Sequence, residues 1–328
     1  MDNTDAPAIR DLSDKETIQD RFFLVKDKNY GVGKNGKPFL SLLIGDKTGQ
    51  LDARIWDNVE SLNDIFQSGD LIKIKGNIQI YNNRKQLVIH RLENINHLGL
   101  KVEDFSIASK VIDTSFLFSE LKTYIQKIQN SHIQQLCQDC LFEDDVKQLL
   151  LTAPAAKSIH HAHSGGLLQH IVSICKLMDG VAENYPFLNK DFLIFGSIFH
   201  DFGKIWELEI QQNQQISYTD KGQMLGHMYL CCEFIEKKAS RILGFPEELK
   251  TILKHIILSH HGKLEYGSPK VPLFPEAFVV AAIDDFDSKM DQIQKFVESE
   301  RASGGSWSRL NDQFQRFFFI ENLKEKWR

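Results

Sequence analysis

The sequence predicts a chain of two domains, in which a small N-terminal β-barrel precedes an all-helical domain. Between residues 17 and 95, apolar and polar residues alternate with the period of a strand and are interrupted by turn residues. From residue 117 onward, apolar residues recur with the spacing of a helix. Nine of the twelve histidines fall between His160 and His261, which indicates a site in the helical part.

Length and composition set the outer bounds of this interpretation. A chain of 328 residues with 42% hydrophobic residues is long enough for two buried cores. No stretch approaches the roughly 18 apolar residues of a transmembrane helix, and the acidic N-terminus is unlike a signal peptide. The five cysteines form no disulfide framework, and the Cys137 and Cys140 pair is expected to pack inside a helix. We therefore expect a cytoplasmic protein.

The barrel region contains five predicted strands and one short helix. The strands are predicted over residues 17–28, 38–44, 51–56, 71–81 and 86–92, with the helix over residues 58–66. In the third strand, Leu51, Ala53 and Ile55 share one face. Three strands, a short helix and two further strands follow the order of an OB-fold.

Three phrases of this region resemble the OB-fold domains that bind nucleic acids. They are residues 39–42, residues 46–56 and residues 69–76. Such barrels stack the bases of single strands on aromatic side chains, while cations follow the backbone. The groups available for this are Tyr30, Arg54, Trp56, Lys73, Lys75 and Tyr81. In the alternative, Trp56 closes the barrel and the lysines are only solvated.

Charge decides little between these alternatives. The net charge of the chain is −5, which does not by itself support a nucleic-acid partner. Between residues 17 and 100, twelve Lys and Arg stand against nine Asp and Glu, a balance of +3 that leaves −8 for the remainder. This asymmetry is mild and is not a basic stripe.

The remaining segments complete the domain prediction. Helices are predicted over residues 117–138 and 143–151, and Pro154 ends the second because proline cannot continue its ladder. The predicted divisions are a tail over 1–16, the OB-fold over 17–95, a linker over 96–115, the helical domain over 116–310 and a C-terminal extension over 311–328.

Candidate metal ligands follow in order along the helical part. The dipeptide His200-Asp201 ends the apolar run of residues 192–199, and burying an ionisable pair is costly unless a cation neutralises it. Gly203 is expected to stop that helix. The other ligand-type residues in or beside apolar helical segments are His170, His227, His255, His260, His261, Asp284, Asp285 and Asp287.

The order His, His-Asp, His, His-His, Asp resembles that of the HD-domain metallophosphohydrolases, over about residues 150–300. This resemblance implies one metal held by His170, His200, Asp201 and Asp284. It implies a second metal held by His227, His260 and His261, with Asp201 bridging. Asp285 and Asp287 compete with Asp284 for the last ligand role, and HD proteins with a single metal leave the second site open. These ligand types suit Mn²⁺, which we expect first, and also Fe²⁺, Mg²⁺ or Zn²⁺.

An OB-fold joined to an HD domain resembles the YhaM-type 3′→5′ exoribonucleases. The phrases that carry the resemblance are residues 154–157, 160–161, 165–170, 200–204, 225–227, 258–263, 267–270 and 284–290. The family implies metal-dependent removal of nucleotides from the 3′ end of single-stranded RNA. Single-stranded DNA remains open as a substrate, because reading the 2′-hydroxyl depends on geometry.

Metal chemistry gives a hypothesis for the reaction. The metal pair lowers the pKa of a bridging water, and the resulting hydroxide attacks the terminal phosphodiester in line. Asp201 and Lys204 are the predicted catalytic residues, since Lys204 is expected to stabilise charge in the transition state. Further substrate contacts are predicted for His160, His161, His163, Lys263 and Lys289. For the three histidines a structural role at a helix entry is an equal alternative, and the two lysines are weaker candidates.

Two other functions remain open from the sequence. The HD domain would in one case cleave small nucleotides, with the barrel as a regulatory module. In the other, the protein binds RNA without catalysis and holds a structural metal. The apolar run of residues 314–320 is expected to pack on the body or on another subunit, which leaves homo-oligomers open. No membrane partner is expected.

Overall fold

The computed structural model describes residues 8–33, 36–81, 84–100, 105, 112–157, 163–211, 216–301 and 305–327. The chain forms two compact units. The barrel unit comprises Met1–Val111 with Gln294–Arg328, and the helical unit comprises Ile112–Ile293. The predicted division differs here, because residues 294–310 were expected in the helical domain and belong to the barrel unit.

The barrel unit contains the predicted OB-like barrel. Its elements are β1 (Thr17–Val32), β2 (Pro38–Asp46), β3 (Gly49–Ile55), α1 (Val59–Asn63), β4 (Leu71–Tyr81) and β5 (Arg84–Asn94). The sheet closes in the order β1-β2-β3-β5-β4, with β3 and β5 parallel and the other pairs antiparallel. Bulges in β1 after Ile18 and Val25 bend the strand, so that it pairs with β4 at one end and β2 at the other. The predicted fold class is confirmed.

The barrel core starts earlier in the chain than predicted. Leu51, Ala53 and Ile55 are buried, as their alternation indicates. Ile9 and Leu12, which were expected in a separate tail, are buried in the same core. The backbone N–H of Ile9 donates to the Asp46 carboxylate at 2.9 Å. This segment belongs to the barrel because its apolar side chains are removed from water there.

The helical unit is built from helices and one short hairpin. Its elements are α2 (Thr114–Gln126), α3 (Ser131–Leu141), α4 (Asp144–Thr152), α5 (Gly166–Asn184), α6 (Lys190–Phe199), α7 (Lys204–Glu207), β6 (Leu208–Ile210), β7 (Ile216–Tyr218), α8 (Asp220–Ala239), α9 (Glu247–Ser259) and α10 (Pro275–Arg301). From Gln294 onward α10 belongs to the barrel unit, as does α11 (Leu323–Lys326). The β6-β7 hairpin was not predicted.

The single helix predicted over residues 117–138 was wrong, since the structure has two helices there. The side chain of Asn130 accepts a hydrogen bond from the backbone N–H of Ile133 and so caps the start of α3. The backbone N–H groups of Gln129 and Asn130 donate to the Asp191 carboxylate at 3.0 and 2.8 Å. These bonds compensate for helical bonds that the break removes.

All five cysteines are free and buried, as predicted for Cys137 and Cys140, which both lie on α3. Within the described residues, none of the helices combines the length and the apolar composition that crossing a bilayer requires.

Candidate metal centre

Seven side chains of the helical unit converge on one buried centre. They form two groups, and within each group one ligand atom per residue lies within 4.8 Å of the others. The first group is His170, His200, Asp201 and Asp284, and the second is His227, His260 and His261. They come from α5, the end of α6, α8, the end of α9, and α10. These are the seven residues for which the family resemblance implies a ligand role, in the two groups that it implies. Their role as ligands stays a prediction.

Glycines allow the helices that carry these side chains to approach closely. A Cβ atom on Gly203 would lie 2.0 Å from the carbonyl oxygen of His227. Gly203 has helical φ and ψ, so the prediction that it stops a helix was wrong, and contact with α8 explains the glycine instead. Gly226 has a φ of 73° and kinks α8 immediately before His227.

Asp201 lies between the two groups and faces each with a different oxygen. Its Oδ1 lies 3.5 Å from Nε2 of His227 and 3.5 Å from Nε2 of His260. Its Oδ2 lies 3.6 Å from Nε2 of His200 and 3.7 Å from Nε2 of His170. Only 2% of Asp201 is exposed. A carboxylate in this position can serve two cations at once.

Of the three neighbouring aspartates, Asp284 is the one that lies with the first group. Its Oδ1 is 3.2 Å from Nε2 of His170 and 3.6 Å from Nε2 of His200. Asp285 is exposed, and its carboxylate pairs with Lys289 at 2.5 Å. The local sequence left the three aspartates as competitors, and their positions around α10 separate them.

Each of the five histidines has its Nδ1 atom bonded within the protein. The partners are Asp287 Oδ2 for His170 at 2.8 Å, the Gly196 carbonyl for His200 at 3.0 Å, Glu207 Oε1 for His227 at 3.1 Å, the Ile257 carbonyl for His260 at 2.7 Å and the Tyr266 carbonyl for His261 at 2.9 Å. A ring whose Nδ1–H donates to an oxygen presents Nε2 as its lone pair. These bonds orient all five rings as ligands.

Two of these supporting residues had no such role in the sequence prediction. Glu207 also accepts the backbone N–H of His227 at 2.9 Å. Asp287 accepts the Ser173 hydroxyl at 2.5 Å, and it was considered only as a competing ligand. No local pattern in the sequence marks Glu207, because its contact with His227 depends on the packing of the helices.

The ligand atoms fit a divalent cation. Among the described residues, Asp201 Oδ1, His227 Nε2 and His260 Nε2 are buried side-chain atoms without a hydrogen-bond partner. Leaving such atoms unsatisfied is costly, and a bound cation would satisfy all three. Imidazole and carboxylate donors without thiolate suit Mn²⁺, Fe²⁺, Mg²⁺ or Zn²⁺.

The carboxylates of the centre are held in the ionised form. Burial opposes ionisation of Asp201, yet Lys204 and the neighbouring histidines lower its pKa well below the usual value. The Lys204 ammonium donates to Asp201 Oδ2 at 2.6 Å. Burial would lower the pKa of Lys204, but Asp201 raises it. Burial likewise opposes ionisation of Asp284, and His200 is foremost among the groups that lower its pKa.

A cavity of about 710 Å³ opens at this centre. Its walls include Lys204, Lys263, Tyr266 and Phe278. The two aromatic residues are exposed, and the sequence prediction did not include them. Exposed rings in the wall of this cavity offer surfaces on which a nucleobase could stack.

Two other predicted substrate contacts of the helical unit, Lys289 and His163, are not among the residues that line this cavity. His163 also lies outside both ligand groups. The Nδ1 atom of His163 contacts the carbonyl of Ser164 at 3.2 Å. His160 and His161 fall outside the described residues.

In the barrel unit, the structure separates the predicted nucleic-acid contacts. Arg54, Trp56 and Tyr81 line one cavity of about 930 Å³. Lys73 and Lys75 do not line it, and both pair with the Asp20 carboxylate, at 3.4 and 3.0 Å. Tyr30 is exposed and also lies outside the cavity.

Comparison with protein families agrees with both halves of this description. The family model of an OB-fold nucleic acid binding domain matches residues 21–95. The family model of the HD domain matches residues 162–289, the range that contains all seven ligand-type residues.

Curated relatives match over nearly the whole length. The 3′-5′ exoribonuclease YhaM of Listeria monocytogenes is 36% identical over 286 residues, which covers 86% of this chain and 88% of that protein. The 3′-5′ exoribonuclease YhaM of Bacillus subtilis is 32% identical over 304 residues, covering 92% of each chain. Among solved structures, the p204 HINb domain covers 28% of this chain with a TM-score of 0.23, too low to support an inference.

Proposed function

The chain belongs to the family of the YhaM 3′-5′ exoribonucleases, and from this premise we propose which of its residues perform that activity. It is a metal-dependent nuclease that removes nucleotides from the 3′ end of RNA. The observation that carries the assignment of residues is the position of Asp201, with one carboxylate oxygen facing each histidine group.

In this proposal, the residues of the centre would hold two divalent ions. His170, His200 and Asp284 would hold one, and His227, His260 and His261 would hold the other, with Asp201 available to both. Divalent ions held there supply the Lewis acidity that phosphodiester hydrolysis needs. Mn²⁺ is our first choice among the four ions that suit these donors.

Lys204 and the cavity walls hold the substrate. The Lys204 ammonium sits on Asp201 at the cavity surface, so it keeps this carboxylate ionised and can donate to a phosphate oxygen. Tyr266 and Phe278 offer their exposed rings to the terminal base. Lys263 lines the same cavity and adds positive charge near the phosphates.

The barrel binds the single strand ahead of hydrolysis. Arg54, Trp56 and Tyr81 line one cavity and combine a cation with two exposed rings, the chemistry that single-stranded nucleic acids require. The proposed substrate is single-stranded RNA, with single-stranded DNA as a second substrate to be measured. Five free, buried thiols suit a reducing compartment, so we propose the cytoplasm as the site of action.

A time course with a 5′-labelled single-stranded RNA and Mn²⁺ tests this function. The native chain should produce a ladder that shortens from the 3′ end, and Asp201→Ala should leave the RNA intact. Asp220→Ala is the matched control, because Asp220 is an exposed carboxylate outside both ligand groups and outside the cavity, and it should keep most of the activity.

Two results would contradict the proposal. RNA that stays intact with the native chain under all four metals would reject the nuclease assignment and direct the search to free nucleotides. A ladder that persists in Asp201→Ala would reject the placement of the active site.

A further inference from the structure

The C-terminal segment after α10 folds into a hairpin in the barrel unit. Trp307 pairs with Phe319 and Asn311 pairs with Arg316 as antiparallel bridges. The backbone N–H of Ser308 donates to the carbonyl of Phe318 at 2.8 Å. We propose that this C-terminal hairpin forms the second wall of the groove in which the barrel binds single-stranded RNA.

The hairpin is held in place by the end of α10. Glu300, a buried carboxylate of α10, accepts the backbone N–H of Arg309 at 2.8 Å. The Arg301 side chain donates to the carbonyl of Ile320 at 2.6 Å, and Ile320 is buried. The ring centroids of Phe296 and Phe318 lie 5.9 Å apart. Part of the apolar run of residues 314–320 thus packs against α10. These contacts hold the hairpin in position.

Aromatic rings from the barrel and from the hairpin line the same cavity of about 930 Å³. Trp56 and Tyr81 line it from the barrel, and Trp307 and Phe317 from the hairpin. Trp56 is 46% exposed and Trp307 is 62% exposed. Several exposed rings that share one cavity offer faces on which successive bases can stack.

The charges of the cavity favour an anionic strand over an apolar peptide as the occupant. Arg54, Lys85 and Arg309 line it. The acidic groups in the wall, Glu300 and Asp52, both face Arg309, with nearest N–O distances of 3.6 and 3.9 Å. Three cations against two acids, one of them buried, leave the cavity positive, and phosphates complement this charge.

The inference rests on the proposed function, because the occupant of the groove is the RNA substrate. It adds a binding role for Trp307, Arg309 and Phe317, which lie beyond the residues matched as the OB-fold domain. The hairpin and the barrel then hold one strand between them.

The test is the degradation of single-stranded RNA by Trp307→Ala in the full-length chain with Mn²⁺. The value of kcat/KM should fall at least about fivefold, the loss expected when one base loses its stacking partner. Trp307→Phe should recover most of it, because it restores a ring. Trp327→Ala is the matched control, since Trp327 is an exposed tryptophan outside the cavity, and it should behave as the native chain.

A second measurement separates the groove from the metal centre. Hydrolysis of bis(p-nitrophenyl) phosphate with Mn²⁺ needs the centre alone, so Trp307→Ala should leave its rate unchanged. If Trp307→Ala unfolds the hairpin and lowers this rate, the same two measurements on Phe317→Ser test the inference instead. Phe317 is suitable because it is exposed and lines the cavity.

Two outcomes would overturn the inference, and they differ. RNA degradation at the native rate by Trp307→Ala and Phe317→Ser would reject the hairpin as a wall while leaving the nuclease assignment intact. RNA left intact by the native chain would reject the proposed function, and the inference with it.

Discussion

Gly203 and His227 approach so closely that a Cβ atom on the glycine would lie 2.0 Å from the histidine carbonyl oxygen. This contact joins the turn that carries Asp201 to the helix that carries His227. The Asp201 Oδ1 to His227 Nε2 distance of 3.5 Å therefore depends on a residue that is itself no ligand.

Gly203→Ala should disturb both stability and metal binding. The added methyl group overlaps backbone, which cannot rotate away, so we expect a loss of about 1–3 kcal/mol in the free energy of unfolding. Chemical denaturation measures this loss. Gly180→Ala is the matched control, because nothing lies within 4 Å of its Cβ position on α5, and it should be neutral or stabilising. Equal stability of the two variants would show that the contact is not tight.

Glu207→Gln should weaken metal binding at the second histidine group without removing a ligand. The substitution weakens the bonds from Glu207 to the His227 ring and backbone, which hold the ring in position. Loss of such support typically costs 10- to 100-fold in metal affinity or activity. The Mn²⁺ concentration for half-maximal RNA degradation should rise accordingly. Glu209→Gln, on β6 and exposed, is the control, and an equal response of both variants would contradict this role.

Mn²⁺ should stabilise the folded chain, and EDTA should reverse the effect. The buried, unsatisfied atoms of Asp201, His227 and His260 gain a partner when a cation binds. Binding at 100 times Kd contributes about 2.7 kcal/mol, which a thermal melt detects as a higher Tm. Asp201→Ala should abolish the shift. A native chain whose Tm does not respond to any of the four ions would argue against a metal centre here.

Asp179 should contribute stability that depends on pH. Its carboxylate on α5 lies 2.7 Å from the ammonium of Lys127 and 2.8 Å from that of Lys190. Burial would raise its pKa, but the two lysines lower it. A carboxyl whose pKa is lower in the folded state stabilises the protein above its unfolded pKa of about 3.9, and this contribution is lost as the pH falls through the folded value.

Asp179→Asn should therefore unfold more easily than the native chain at pH 7, and the difference should shrink below about pH 4. Urea denaturation across this pH range measures both. Glu183→Gln on the same helix is the control, since Glu183 is exposed and forms no ion pair with the described residues. A difference that stays constant with pH would mean that Asp179 acts through packing.

The alternation of apolar and polar residues determined the barrel from the sequence alone. Leu51, Ala53 and Ile55 are buried because successive side chains of a strand face opposite sides, a relation between neighbours in the sequence. The same kind of pattern did not predict the break between α2 and α3. It depends on Asp191, which lies 61 residues from Asn130, and no local period records that contact.

The seven ligand-type residues of the centre were also determined by the sequence. Their order along the chain resembles that of the HD-domain metallophosphohydrolases, and this resemblance implied the two groups. Burying so many ionisable groups is costly unless a cation neutralises them. Tertiary structure alone decided the support around them. Asp287 meets His170 across 117 residues, and Glu207 meets His227 across 20. Such long-range contacts depend on how the helices pack against one another, and the spacing of residues along one helix does not determine that packing.

The same division applies to the C-terminal segment. The sequence determined that residues 314–320 are apolar enough to need a partner surface. Only the tertiary structure decided that the segment belongs to the barrel unit, with Ile320 buried and Trp307 and Phe317 at the cavity of Trp56. The physical reason is that the hydrophobic effect is non-directional. A run of apolar residues indicates that these residues will be buried, but only the packing of the folded chain determines which surface buries them.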